Sequence, residues 1–287
     1  MIQRAEVKFS ALCTKSNEWI FFMHRLARQV RFSVNPFLPE QSLGANSFAS
    51  KPSGEGLAIF FELSIELISE VDRSTGFVVN VAEIDSKVRQ CAVPVFISKI
   101  QENYSKAKHV SLYSITEMLH LAWKRLESKF LPAQLSKLSL KLNPFRKVTI
   151  CSEDIQMVYF SEKFEFAATH KLWNKDFTDE QNKKIFGKCA NPTGHGHNYV
   201  IEVTLKKSVS DNDFSVGDFE QIVETELINL IDHKNLNLDI EYFTEVIATV
   251  ENIAIFAWKK LAGKFPEQLL HCVTVWETDK TSCSYFG

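Results

Sequence analysis

PSGEGLAIFFEL, which begins at Pro52, and PTGHGHNYVIEV, which begins at Pro192, are two versions of one pattern, a Pro/Gly turn opening into a strand. A second match follows in the same order. YSITEMLHLAWKRLESKFLP, ending at Pro132, lies on IATVENIAIFAWKKLAGKFP, ending at Pro266. Such a repeat constrains the chain to fold as two related units, the alternative being two generic units alike by coincidence. In the first half, VRFSV and LAIFFELSIELIS read as strands around a Gly/Ser/Pro-rich loop, SLGANSFASKPSGEG, with DRSTG as a turn. Val81, Ile84 and Val88 have helical spacing, as do Ile115, Met118, Leu119, Ala122 and Leu126. LSKLSLKL and KVTI close the half as strands. In the second half KFEFAATH and NYVIEVTL alternate. Phe219, Ile222, Val223, Leu227, Leu230 and Ile231 outline an amphipathic helix, and a second helix runs from Thr249 to Gly263. HCVTVWET and CSYF pair as strands. The expectation is an α+β chain of two tandem ββααββ units, residues 1–152 and 153–287, with antiparallel sheets and helices on one face. Before Val30 the reading is weaker: AEVKFSAL fits a strand, and EWIFFMHRLARQ fits a helix or a strand.

Bulk properties exclude several classes. A net charge of -2 lacks the basic excess of a nucleic-acid binder. The start, MIQRAEVKFSAL, lacks a secretory pattern, and the greasiest run, LAIFFELSIELI, is broken by Glu62 and Glu66, so no membrane span is expected. Cysteines are scattered singly, without CxxC pairs, which fits a reducing cytoplasm.

The two halves differ where chemistry would sit. His195 and His197 fall on Glu55 and Leu57, Cys189 on Ala49, and Asp232 and His233 on Pro94 and Val95. His195 and His197 are two apart at the head of a strand, so both rings point to one face. His170 ends the preceding strand on the face of Phe164, Phe166 and Ala168, and completes three candidate metal ligands. The competing reading of HGH is a polar opening to a strand. Taken alone, Cys189 reads first as a buried structural cysteine; its place after Lys188 in a polar loop favours the other reading, since a thiol there becomes a thiolate if a cation or imidazolium is near. Asp232 ends a helix against the dipole, so it does not serve helix stability, and it can orient His233. The bland alternative is a surface pair in a turn. Glu277 alternates with Val273 and Val275, so its carboxylate either finds donors, such as a heterocycle's ring N–H and amino groups, or turns to solvent. Glu251 reads first as a favourable dipole partner at its helix start.

Taken together, FEFAATHKL, FGKCANPTGHGHNY, LIDHKNLNLD, ATVENIA and WETD resemble the 6-pyruvoyl-tetrahydropterin synthase family, which includes the 6-carboxytetrahydropterin synthases of the queuosine pathway. The resemblance covers the second half. It implies the tunnelling fold, in which ββααββ units of several chains join their sheets into a barrel with helices outside, hence a homo-oligomer. It implies Zn2+ held by His170, His195 and His197, with Cys189 as catalytic thiol and Asp232 and His233 as its partners. Glu277 is implied as the pterin anchor, and Thr249 and Glu251 as part of the pterin pocket. The implied reaction is triphosphate elimination from 7,8-dihydroneopterin triphosphate, a carbon–oxygen lyase step. The rival, a carbon–carbon lyase step, forms 6-carboxytetrahydropterin. The NPTG spacing between Cys189 and HGH, and LIDHKNLN, lean toward the pyruvoyl product. A degenerate, non-catalytic first repeat departs from the family's single unit and raises a third reading, a pterin-binding protein without catalysis.

Overall fold

The computed structural model describes residues 23–37, 58–210, 214–265 and 269–287. The expected strand AEVKFSAL, the loop SLGANSFASKPSGEG, and with them Ala49, Glu55, Leu57 and Pro266, lie outside the described residues. The chain divides into two compact units, one of Met1–His109, Met118–Ser139 and Ile150–Ile155, the other of Val110–Glu117, Leu140–Thr149 and Gln156–Gly287.

In chain order the strands are β1 His24–Val34, β2 Ile59–Ser69, β3 Gln134–Lys141, β4 Arg146–Cys151, β5 Met157–His170, β6 His195–Ser208, β7 Lys234–Asn235, β8 Leu269–Thr278 and β9 Thr281–Tyr285. The ambiguous HRLARQ segment is thus strand.

In the first unit β1 and β2 form an antiparallel ladder from His24↔Ser69 to Val34↔Ile59. The alternation of β2 separates Phe61, Leu63, Ile65 and Leu67, all buried, from half-exposed partners between them. Phe32, Phe61 and Phe96 meet with ring centroids 5.4 to 6.0 Å apart. Each such burial stabilises by about 1.5–3 kcal/mol. Helix Val81–Lys87 is capped by Asn80, whose side chain accepts from Ala82 N, and runs through a π-helical turn, Val88–Ala92, into helix Val93–Ser105. The sequence pattern had located only the start of this run.

In the second unit β5 pairs with β6, β6 with β8 and β8 with β9, all antiparallel. Phe219 packs edge-on against Phe160 at 5.2 Å and beside Phe164 at 5.9 Å, which seats helix Val216–Val223 on the apolar face of β5. This helix also passes through a π-helical turn, Glu224–Ile228, before Asn229–Ile231. Helix Val250–Leu261 packs on β8 and β9, with Trp258 against Tyr285, the partner of Val273. Both helices therefore cover one side of the sheet. On the neighbouring strands β4 and β5, Arg146 holds the buried Glu162 through two hydrogen bonds of 2.9 and 2.7 Å and also reaches Glu220. No helix among the described residues is long and apolar enough to cross a membrane.

Candidate active site

Strand β5 ends on His170 and strand β6 begins on His195, and the two are direct partners in the ladder; one step inward, Ala168 faces His197. A tight turn closes this end. Gly194 has φ +71° and sits so near β5 that a Cβ there would lie 2.8 Å from the His170 carbonyl oxygen, so only glycine fits.

The three imidazoles converge. Their ligand nitrogens all lie within 4.8 Å of one another, and His170 Nε2 is 3.0 Å from His195 Nε2. His170 is buried, and its Nδ1 lies 2.7 Å from the Ala248 carbonyl oxygen. A carbonyl only accepts, so Nδ1 carries the proton and Nε2 presents a lone pair to the cluster. His195 Nδ1 and His197 Nε2 are buried without a hydrogen-bond partner. Burial pushes the His170 pKa below the usual histidine value, against the Ala248 hydrogen bond, and pushes His195 down with help from His197. Imidazoles with unpartnered nitrogens fit a metal ion. The chemistry of the donor set, three imidazoles, suits zinc among other divalent ions.

Glu277 reaches the same place from β8. Trp276 pairs with Val200, which brings Glu277 alongside Tyr199, and its Oε1 lies 3.5 Å from His170 Nε2 and 3.8 Å from His197 Nε2. The alternation read from Val273 and Val275 thus turns this carboxylate inward rather than to solvent. Thr249 caps helix Val250–Leu261, its hydroxyl accepting from Asn252 N, while Glu251 is exposed in the first turn. The neighbour of Thr249 contributes more to the geometry, since Ala248 holds His170.

Cys189 sits in a short 3₁₀ turn, Gly187–Ala190, at intermediate exposure. Its carbonyl accepts from Leu172 N at 2.9 Å, tying the thiol's loop to the segment just after His170. Two features hold that loop which the sequence reading had passed over. Thr178 and Gln181 form a reciprocal capping box at the start of helix Asp179–Phe186. Asn182, fully buried, donates to the carbonyls of Asn174, Phe177 and Thr178 and accepts from Asn174 N. The T-D-E-Q spacing was a readable signal for the first; nothing in the sequence marked the second.

Asp232 and His233 form a pair, Asp232 Oδ2 to His233 Nδ1 at 2.8 Å. Asp232 Oδ1 accepts from Ala167 N, and His233 N donates to Ala167 O, with His233 at φ +56°. The Ala167 hydrogen bond holds the Asp232 carboxyl below its ordinary pKa. Among the described residues no hydrogen bond or ion pair joins this couple to Cys189 or to the three histidines. His233 and His197 do both border a cleft of about 530 Å³, together with Thr169 and Asn198.

Comparison with known proteins places this site in a family. The 6-pyruvoyl tetrahydropterin synthase family profile matches residues 159–287. The human 6-pyruvoyl tetrahydrobiopterin synthase is 38% identical over 130 residues, 44% of this chain and 90% of that protein. The Drosophila melanogaster protein of that name is 35% identical over 136 residues, 46% of this chain and 80% of its own length. A 6-carboxy-5,6,7,8-tetrahydropterin synthase of Aquifex aeolicus is 27% identical over 157 residues, covering 95% of it. The solved Caenorhabditis elegans 6-pyruvoyl tetrahydropterin synthase covers 46% of this chain and 96% of its own at 33% identity, with a TM-score of 0.44. The chain belongs to the 6-pyruvoyl tetrahydropterin synthase family.

Proposed function

We propose that this chain is a zinc-dependent synthase that converts 7,8-dihydroneopterin triphosphate to 6-pyruvoyl-tetrahydropterin with elimination of triphosphate. The observation that carries the reading is the convergence of His170, His195 and His197, with Glu277 beside them, in the half of the chain that aligns with the synthases. Those three histidines would hold the ion, which when bound supplies Lewis-acid polarisation of substrate oxygens.

The other roles belong to the chain's own groups. Glu277, on the same face, accepts from the N–H groups of the pterin ring; Thr249 and Glu251 belong to the wall beside it. Cys189, as a thiolate, takes the carbon-bound proton. His233 donates from Nδ1 to Asp232, so its Nε2 remains free to move a proton onward. Because no hydrogen bond or ion pair among the described residues joins His233 to Cys189, a homo-oligomer in which one copy's His233 faces another's Cys189 completes the machinery. Residues 1–152 then form a non-catalytic tandem repeat that completes the barrel and the subunit interface, and the enzyme works in the cytoplasm.

The test is to incubate purified protein and zinc with 7,8-dihydroneopterin triphosphate and identify the product by mass spectrometry. 6-Pyruvoyl-tetrahydropterin supports the reading. 6-Carboxytetrahydropterin would favour the alternative that the Aquifex aeolicus relative represents. No turnover would sink both and leave a pterin-binding protein, for which Cys189→Ala would be silent in cells. An active, soluble oligomer of residues 155–287 alone would overturn the role given to the first repeat.

A further inference from the structure

Behind the three histidines stands a residue to which the reaction assigns no part. Tyr199 lies two positions beyond His197 on the same face of β6, and its ladder partner is Phe166. It is fully buried, with its ring stacked on Phe166 at 4.8 Å and 8°. The stack leaves one orientation for the ring and carries its hydroxyl toward the metal ligands. The hydroxyl oxygen is 3.4 Å from His170 Nδ1, and the ring stands edge-on to His170 at 6.1 Å and to His197 at 5.5 Å.

The chemistry of that contact is restricted. His170 Nδ1 has one proton, and the nearer Ala248 carbonyl, at 2.7 Å, takes it as the main acceptor. The tyrosine oxygen, at 3.4 Å, can only be the second, weaker acceptor of the same N–H. Two acceptors on one proton hold the imidazole against rotation about its Cβ–Cγ bond, and that rotation would swing Nε2 out of the cluster. Burial, with Glu277 and Cys189 close by, keeps the phenol protonated at every ordinary pH, so it remains a neutral brace.

We propose that Tyr199 is a positioning residue for the metal centre: its hydroxyl, fixed by the stack on Phe166, holds the His170 ring in its ligating orientation. This rests on the metal reading above and adds to it a group outside the ligand set. Outer partners of ligating histidines typically change metal affinity 10–100-fold.

The experiment uses the full chain, stripped by chelator, with Tyr199→Phe beside the wild type. Phenylalanine keeps the stack and removes only the hydroxyl. Zinc affinity is measured by competition with a chromophoric chelator, Co2+ is used as a spectroscopic probe, and the melting of the metal-free proteins is compared. The expected result is about one zinc per wild-type chain, an approximately tenfold weaker affinity and an altered Co2+ visible spectrum in Y199F, with metal-free melting unchanged. Wild-type affinity and spectrum in a folded Y199F overturn the inference and leave the metal reading standing. Failure of the wild type to bind either ion overturns both. Should Y199F not fold, the zinc-loaded wild type decides by NMR: a cross-peak between the His170 Nδ1 proton and the Tyr199 ring supports the brace, and its absence refutes it.

Discussion

The ladder β1–β2 ends on Val34↔Ile59, and the ladder β5–β6 ends on His170↔His195. One step inward the first has Phe32 facing Phe61 and the second has Ala168 facing His197; the next pairs are Val30↔Leu63 and Phe166↔Tyr199. Both ladders bury the face these residues occupy, since Val34 and His170 are alike inaccessible. The first fills that space with hydrocarbon and gains the full transfer energy. The second fills it with imidazoles and leaves His195 Nδ1 and His197 Nε2 buried without partners, a cost of about 1–3 kcal/mol each until a ligand arrives. One geometry thus serves cohesion in one unit and coordination in the other.

The sharpest way to break this contrast is to truncate one residue in each ladder. His197→Ala should abolish stoichiometric metal by elemental analysis and lower turnover by more than about 100-fold, the upper end for merely outer-shell changes. Phe61→Ala should leave metal content unchanged and cost about 3–5 kcal/mol of stability in denaturant titration. Retained zinc in H197A, or lost zinc in F61A, would erase the distinction.

The next test asks whether the second ladder's site is complete in one copy. Cys189→Ala and His233→Ala should each be inactive, and co-expression of the two should restore a measurable fraction of turnover. A mixture as inactive as its parents would place both groups in one chain's site. Smaller effects belong to the support of the thiol's loop. Asn182→Ala should cost about 1–3 kcal/mol, because it removes a buried amide together with its bonds to the Asn174, Phe177 and Thr178 carbonyls. Thr178→Ala should cost about 1 kcal/mol as a lost cap. Slower alkylation of Cys189 in both would tie that loop to the thiol, and unchanged alkylation would separate them.

The smallest effect is a pH dependence. The carboxyl of Asp232 has a folded pKa below its unfolded value, through the Ala167 N–H first. Its contribution is therefore present above the unfolded pKa, about 3.9, and is lost as pH falls through the folded one. Asp232→Asn should show a flatter fall in urea midpoint below about pH 4 than the parent chain. An unchanged acid limb would mean that the hydrogen bond to Ala167 does not depend on charge.

Side chains on strands were the most legible part of this site. A period of two brings His195 and His197 to one face, and the alternation FEFAATH sets His170 on the face of Phe166. The same rule set Glu277 in line with Val273 and Val275 but left open whether its carboxylate turns inward or to solvent. Backbone groups were not legible: the carbonyl that fixes His170 belongs to Ala248, whose side chain says nothing of it. Tyr199 stands in the alternating NYVIEVTL as one more position of the buried face, because a stacked ring and a hydrogen-bonding hydroxyl share one letter. Helix onsets were readable from spacing, but the turns Val88–Ala92 and Glu224–Ile228 were not, since the periodicity of 3.6 carries no mark of one extra residue.

Those wide turns have a consequence for how the chain tolerates changes in length. A π-helical turn holds one residue more than the α-helix around it, so each works as an insertion already absorbed. Removing one residue within Glu224–Ile228 would let the helix tighten into a regular one while the residues downstream keep their facing. Asp232 and His233 follow directly, and their grip on Ala167 would be kept. A single-residue deletion should therefore be better tolerated here than in the regular helix Val250–Leu261, where the same loss turns everything downstream by about 100°.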